Sequence, residues 1–122
     1  NRPSGNNLID LFAYLIRKYG RMDTSEYARI MQLKTSELRG AILAIGGMSA
    51  MEWRNRYLLL EAQELMERTD MSITEIAAKL GFSQPSVFSK FFRTLTKSQP
   101  WEWRIEKKKP GSNRKRTYHC CE

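Results

Sequence analysis

Hydrophobic residues recur three and four positions apart along most of the chain, which is the spacing of one face of an α-helix. The first such stripe is followed by Gly20 and predicts an N-terminal helix. Its members are Leu8, Leu11, Phe12, Leu15, Ile16 and Tyr19. No stretch alternates apolar and polar residues at period two with the β-branched side chains typical of strands. The pattern therefore predicts an all-α fold.

One pattern of residues occurs twice, about fifty positions apart. Residues 23–28 match residues 72–77 at an offset of 49, and later positions match at an offset of 50. The later matches pair Leu38 with Phe88, Ile42 with Phe92, Gly47 with Lys97, and Trp53-Arg54 with Trp103-Arg104. The extra residue of the second copy falls in residues 81–86, which we interpret as a turn. A length difference in a turn indicates a duplicated helix-turn-helix unit.

The first helix of each unit is predicted to begin with a capping box, in which a polar side chain caps a backbone N–H and a glutamate reaches back. The two pairs are Asp23 with Glu26, and Ser72 with Glu75. These helices cover about residues 24–31 and 73–80, and Gly81 suits the left-handed conformation that follows a helix. The second helices cover about residues 35–45 and 85–96, with Pro85 in a first turn.

Two more helices complete the predicted domain. A long linker helix over about residues 50–69 closes the first unit and opens the second, and a short helix begins near Pro100. We expect a flexible segment at residues 1–7, a helical domain at 8–104, and a basic, disordered tail at 105–122. The domain divides into a first helix-turn-helix unit at 8–49, the linker helix at 50–69, and a second unit at 70–104.

The excess of basic residues indicates a negatively charged binding partner. Lysine and arginine number 21 against 13 for aspartate and glutamate, which gives the 122 residues a net charge of +8. This surplus favours a polyanion, either nucleic acid or an anionic membrane surface. Residues 105–122 hold six basic and two acidic residues, which is half of the excess. That tail is either a phosphate-binding arm or a solvated chain end, and composition alone favours the solvated end.

The sequence lacks the features of a membrane protein, of a secreted protein and of a zinc site. It has no apolar run of about 18 residues and no signal peptide, so we expect a cytoplasmic location. Because it begins with Asn, we expect it to be a piece of a longer protein. Cys120 and Cys121 are adjacent and predict no disulfide framework. With His119 they lack the spacing and the fourth ligand of a zinc site, so neither a metal nor a cofactor is expected.

The second helix of each unit has a polar face opposite an apolar one. In the second copy, helical phase places outward Ser86, Ser89, Lys90 and Arg93, and inward Val87, Phe88, Phe91, Phe92 and Leu95. Serine, lysine and arginine can bind guanine acceptors and phosphates in the major groove. Phase alone slightly favours a merely solvated face. The repeat shifts the balance toward DNA, because the first copy places outward Ser36, Arg39 and Gly40, and inward Leu38, Ile42 and Ile45.

Two features of these helices leave alternatives open. Gly40 lacks a side chain and costs about 1 kcal/mol of helix propensity relative to alanine. It either allows close approach to DNA or marks a helix that recognises DNA weakly. The aromatic residues at core phase predict packing rather than base stacking. These residues are Trp53, Phe88, Phe91, Phe92 and Trp103.

The second copy strongly resembles the signature of AraC/XylS-family transcription regulators. The matching segments are Ile73-Thr74-Glu75-Ile76-Ala77-Ala78-Lys79-Leu80-Gly81-Phe82-Ser83-Gln84-Pro85-Ser86-Val87-Phe88-Ser89-Lys90-Phe91-Phe92-Arg93 and Pro100-Trp101-Glu102-Trp103-Arg104. With the weaker first copy, the resemblance covers about residues 8–104. It implies a seven-helix DNA-binding domain with two helix-turn-helix subdomains, a long linker helix and no catalytic activity.

The resemblance also implies which residues contact DNA. By position, the base-contacting sites are Ser36, Arg39 and Gly40 in the first unit, and Ser86, Ser89 and Lys90 in the second, with Gln84 and Arg93 nearby. Both recognition helices are expected in successive major grooves of double-stranded promoter DNA, about 34 Å apart. Three positions depart from the family pattern, namely Lys34, Gly40 and Lys97. The family further implies contact with RNA polymerase and an effector or signalling domain upstream.

Two other classes of function are alternatives to specific DNA binding. A helical protein-interaction module whose basic tail binds nucleic acid nonspecifically is the main alternative. An enzyme is the weakest interpretation, because residues 1–104 contain neither His nor Cys. The carboxylates of the linker helix have the pattern of exposed charges rather than of a paired acid and base.

Overall fold

The computed structural model describes residues 5–108, with side chains from 7 to 107. Seven α-helices and no strand lie in this part of the chain, which confirms the all-α prediction. The helices are α1 (Gly5–Tyr19), α2 (Thr24–Ile30), α3 (Thr35–Gly46), α4 (Ala50–Arg68), α5 (Ile73–Lys79), α6 (Pro85–Thr96) and α7 (Pro100–Lys108).

The helical region is longer at both ends than the sequence indicates. Helix α1 begins at Gly5, so residues 5–7 are helical and the prediction of a flexible segment there is wrong. Helix α7 runs to Lys108, so residues 105–108 are helical rather than part of a disordered tail. The predictions for residues 1–4 and 109–122 lie outside the described residues.

The chain divides into two compact units, and the boundary along the sequence falls between Leu58 and Leu59 inside α4. In the first unit, α1 and α2 both pack against α3. The Phe12 and Tyr27 rings meet edge to face, with centroids 5.2 Å apart. The Tyr27 hydroxyl donates to the Gly20 carbonyl and accepts from the Met22 N–H at 3.0 Å. Burial raises the pKa of Tyr27, which keeps the phenol a neutral donor.

The second unit is built around α6, which packs against α5 and α7. A chain of aromatic contacts forms its core, with ring centroids 5.2 Å apart for Phe82 and Phe88, 6.0 Å for Phe88 and Phe92, and 5.9 Å for Phe92 and Trp103. Phe88, Phe92 and Trp103 are almost completely buried. The prediction that these three aromatic residues pack in the core is therefore confirmed.

Each unit turns between its two helices in the same way. Gly81 has the expected left-handed conformation with φ of 87°, and Gln32 takes the corresponding place with φ of 61°. Backbone bonds then close both turns, from the N–H of Leu33 to the Ala28 carbonyl at 2.9 Å and from Phe82 to Ala77 at 3.0 Å. The repeat is thus preserved in the geometry of the turns.

One of the two predicted capping boxes forms. The Ser72 Oγ accepts from the Glu75 N–H at 3.0 Å, and Glu75 accepts from the Ser72 N–H at 2.8 Å. The box predicted at Asp23 and Glu26 is wrong, because the Asp23 side chain makes no cap bond. Glu26 instead accepts from the Arg29 guanidinium at 2.6 Å. The Glu26 carboxylate is thus paired with Arg29, one helical turn later, rather than with the Asp23 backbone N–H that a capping box requires.

Two residues placed inward by helical phase are exposed. Val87 has 37% of its surface exposed and Ile45 has 43%, so both predictions are wrong. The buried row of α6 runs through Phe88, Phe92 and Thr96, at intervals of four residues. Val87 lies one position before this row, about 100° around the helix. Ile45 lies one position before the corresponding row of α3, which leaves its side chain at the edge of the core.

Candidate nucleic-acid interface

The polar face of α6 is built opposite its buried aromatic row. Ser86, Lys90 and Arg93 are exposed there, and Ser89 is half-buried between them. All four line a shallow cavity of about 360 Å³. The same cavity is lined by Gln99, which precedes α7 and which helical phase did not identify. The second helix-turn-helix unit therefore brings four predicted DNA-contacting residues onto one surface.

Gln84 lies at the start of this surface, at the N-cap of α6. Its side-chain oxygen accepts a hydrogen bond from the Ser86 hydroxyl at 3.3 Å. The amide nitrogen of Gln84 makes no hydrogen bond with the described residues. Two hydrogen-bonding side chains thus mark the N-terminal end of the α6 face.

The second helices of the two units carry three cations, Arg39 on α3 and Lys90 and Arg93 on α6. Within the described residues, Arg39, Lys90 and Arg93 make no ion pair, whereas Arg29 lies 2.6 Å from Glu26. Each of the three is on an exposed helix face. Charge-assisted hydrogen bonds to phosphate or guanine are therefore open to them without breaking an existing contact.

The outer face of α3 presents Ser36, Arg39 and Gly40, all exposed as predicted. A Cβ built on Gly40 meets no atom within 4 Å, so internal packing does not require glycine at this position. A cavity of about 360 Å³ lies beside this face. Its lining consists of Thr24, Arg39, Leu43, Ser49, Ala50 and Met51.

The cavities of the two units lie at corresponding places in the repeat. Each lies between the second helix of a unit and the start of the following helix, where Ser49 and Gln99 are fifty residues apart. Helical phase missed these two residues, as well as Leu43 and Met51, because it treats one helix at a time. Ser49 and Gln99 could have been identified from the sequence by extending the fifty-residue repeat beyond the second helix of each unit.

Arg54 and Arg104, which correspond in the repeat, hold backbone carbonyl groups by hydrogen bonds. Arg54 donates from Nη1 to the Met22 carbonyl at 2.7 Å. Arg104 donates to the carbonyls of Met66 at 3.0 Å, Thr69 at 2.7 Å, and Met71. Met22 and Met71 each precede the N-cap of the first helix of a unit. The guanidiniums therefore fix the start of each helix-turn-helix, and burial lowers the pKa of Arg54.

Metal sites and membrane spans are two other features that this part of the chain could hold. Within residues 5–108, no group of three or more His, Cys, Asp or Glu is placed to hold a metal ion. None of the helices described there is long and apolar enough to cross a membrane. His119, Cys120 and Cys121 lie outside the described residues.

Comparison with known proteins identifies the family. Residues 27–105 match the model of a helix-turn-helix domain family of the AraC type. The chain belongs to the AraC-type helix-turn-helix family. AraC-type domains are DNA-binding domains of transcription regulators, not enzymes. The resemblance drawn from the second copy of the repeat is thereby confirmed.

One similar curated protein is the regulatory protein PocR of Salmonella typhimurium. The two are 41% identical over 58 residues, which cover 48% of this chain and 19% of PocR. This chain therefore spans less than two thirds of the length of that relative.

Solved AraC-type structures share the fold. The C-terminal domain of AraT, a response regulator from Geobacillus stearothermophilus, has a TM-score of 0.75 at 20% identity, over 98% of this chain and 99% of that one. The DNA-binding domain of AdpA, a global transcriptional factor solved in complex with a target DNA, has a TM-score of 0.71 at 23% identity, over 80% and 89%. These likenesses confirm the seven-helix architecture.

Proposed function

We propose that this AraC-type domain binds a specific double-stranded DNA sequence with α3 and α6 in two successive major grooves. The observation that carries the proposal is the α6 face, where exposed Lys90 and Arg93 lie opposite the buried row of Phe88 and Phe92 and make no ion pair with a carboxylate of the described residues. A helix anchored on one side and cationic on the other fits the major groove.

The proposed contacts divide by chemistry. Arg39 and Lys90 reach guanine acceptors, while Arg93 lies farther along α6 and binds phosphate. Hydroxyl and amide groups bond to base edges or phosphates, and Gly40 lets the α3 backbone come close to the DNA. The full set is Ser36, Arg39, Gly40, Gln84, Ser86, Ser89, Lys90 and Arg93.

The proposal extends to the whole protein. The seven helices of residues 5–108 form the DNA-binding domain, and α4 joins units whose recognition helices contact the DNA about 34 Å apart. We further propose that an upstream effector or signalling domain controls it, and that bound protein contacts RNA polymerase in the bacterial cytoplasm. The size of the PocR relative, of which the match covers 19%, supports the existence of further domains.

Substitution of Lys90 tests the placement of α6. On the preferred duplex, Lys90→Ala should cost about 1–3 kcal/mol and relax the preference at one base position, because a cation on a base edge is lost. The control is Lys79→Ala, since Lys79 is also an exposed lysine but lies on α5. Both are compared by fluorescence-anisotropy titration. An unchanged base preference in Lys90→Ala would place α6 outside the groove.

A protein-interaction module with a nonspecific basic tail is the second candidate. Trp101 and Ile105 favour it, because these side chains are four residues apart on α7 and 58% and 56% exposed. This candidate predicts DNA binding that persists in Lys90→Ala and Arg39→Ala but disappears when residues 109–122 are deleted. Specific DNA binding by α3 and α6 instead predicts that each substitution weakens binding to the preferred duplex and relaxes its sequence preference, whereas the deletion leaves that preference intact.

A further inference from the structure

The cavity of the first unit has an apolar wall at a place where the corresponding cavity of the second unit has a cationic side chain. Leu43 on α3 and Met51 in the first turn of α4 both line it, with 57% and 58% of their surfaces exposed. At the repeat offset of 50, Leu43 corresponds to Arg93, so a leucine stands where the second unit has a cation. The two units therefore offer different chemistry to whatever they bind.

The apolar wall continues the proposed DNA-contacting face of α3. Arg39 belongs to that face and also lines the cavity, and Leu43 follows it one helical turn later. Gly40, on the same face, leaves open space where a side chain would stand. A base pair beside this turn could approach the backbone closely and meet the Leu43 side chain.

The major groove offers one apolar group, the C5 methyl of thymine. Apart from the small C5–H of cytosine, the other groups that bases present there are hydrogen-bond donors or acceptors. Arg39 lines the cavity and makes no ion pair within residues 7–107. This cation favours a polyanion over an apolar protein segment as the occupant of the cavity, because it would be costly to bury without an anion.

We propose that Leu43 and Met51 form a thymine-methyl contact, which makes the first unit selective for an A·T pair next to the base or phosphate bound by Arg39. The proposal rests on DNA binding by α3. It gives the first unit a source of sequence specificity that does not require a polar side chain at Gly40.

Deoxyuridine substitution tests the proposal, because deoxyuridine keeps the hydrogen-bonding edge of thymine and lacks the methyl. The half-site bound by the first unit is the one whose base preference is lost in Arg39→Ala and kept in Lys90→Ala. Each thymine of that half-site is replaced in turn, and Kd is measured by anisotropy. Removal of the contacted methyl should weaken binding about three- to fivefold, the effect of one buried methyl group.

Variants of the protein assign the effect to the cavity. Leu43→Ala should bind the thymine duplex as weakly as the wild type binds the deoxyuridine duplex, and should no longer distinguish the two. Met51→Ala should show part of the same loss. Ile45→Ala is the matched control, since Ile45 is an exposed apolar residue of α3 that does not line the cavity, and it should keep the full preference for thymine.

The outcomes separate this proposal from the proposed function. Equal affinity of the wild type for thymine and deoxyuridine at every position of that half-site, with specific binding intact, overturns the methyl contact alone. A thymine preference that persists in Leu43→Ala overturns the assignment to this cavity. An absence of any sequence preference instead overturns the proposed function. Circular dichroism of each variant checks that the helices remain folded.

Discussion

Lys97 ends α6 in the left-handed conformation, with φ of 67°. The repeat places Gly47 at the corresponding end of α3, with φ of 74°. A side chain in this conformation brings Cβ close to the backbone, whereas glycine adopts it without that penalty. The two units thus end their second helices with the same backbone geometry, but Lys97 adopts it with a steric cost that Gly47 avoids.

Replacement of this lysine by glycine should stabilise the domain. Lys97→Gly is expected to raise the free energy of unfolding by about 0.5–1 kcal/mol, because relief of left-handed strain exceeds the entropy that glycine adds to the unfolded chain. Urea denaturation followed by circular dichroism measures the change. Gly47→Ala is the converse control and should destabilise. A decrease in stability for Lys97→Gly would show that the side chain contributes more than the strain costs.

At the scale of the elements, local chemistry predicted most helix bounds. Gly81 and Pro85 mark where α5 ends and α6 begins, because glycine adopts the left-handed conformation that follows a helix and proline fixes the φ angle of a first turn. Residues that depend on neighbours in space were not predictable in this way. Val87 is exposed because the buried row of α6 runs through Phe88 and Phe92, about 100° around the helix from it. Gln99 lines the cavity beside α6 because the chain turns back there before α7 begins.

The candidate site shows the same division. Helical phase placed Ser86, Lys90 and Arg93 on an exposed face because hydrophobic periodicity alone decides which side of a helix is buried. It did not reveal that Leu43 and Met51 share a cavity, since these side chains lie on different helices. Helical phase also did not predict the hydrogen bond from Arg54 to the Met22 carbonyl, because the two residues are 32 positions apart in sequence.

The two helix starts should respond differently to loss of their capping side chains. Ser72→Ala removes the bond to the Glu75 N–H and should cost about 1 kcal/mol of stability. Asp23→Ala is the matched substitution at a position whose side chain makes no cap bond, and it should cost distinctly less. Thermal unfolding of both variants provides the comparison. Equal losses would indicate that Asp23 caps α2 in solution.

At the scale of the whole molecule, positive charge is spread beyond the two recognition helices. Residues 109–122 contain four basic residues and one acidic residue. Lys107, by contrast, belongs to the folded unit, because its Nζ lies 3.5 Å from a Glu67 carboxylate oxygen and 5.8 Å from the centre of the Trp103 ring. A truncation that removes the terminal charge and spares α7 must therefore follow Lys108.

Deletion of residues 109–122 should weaken binding to the preferred and to a scrambled duplex by a similar factor. Any phosphate contacts of these residues are independent of sequence, and each one lost lowers the slope of log K against log salt by about 0.9. Titrations between about 0.05 and 0.2 M salt measure this slope. A deletion that weakened the preferred duplex alone would give these residues a part in sequence recognition.

The central claim is that one chain recognises DNA through both α3 and α6. Selection from a random-sequence duplex library at about 0.15 M salt tests it most directly, because specific binding typically exceeds nonspecific binding by at least about a thousandfold. We predict enrichment of two half-sites about 10 bp apart, one for each recognition helix. Enrichment of one short element would contradict base recognition by both helices, and no enrichment would contradict sequence-specific binding by this domain.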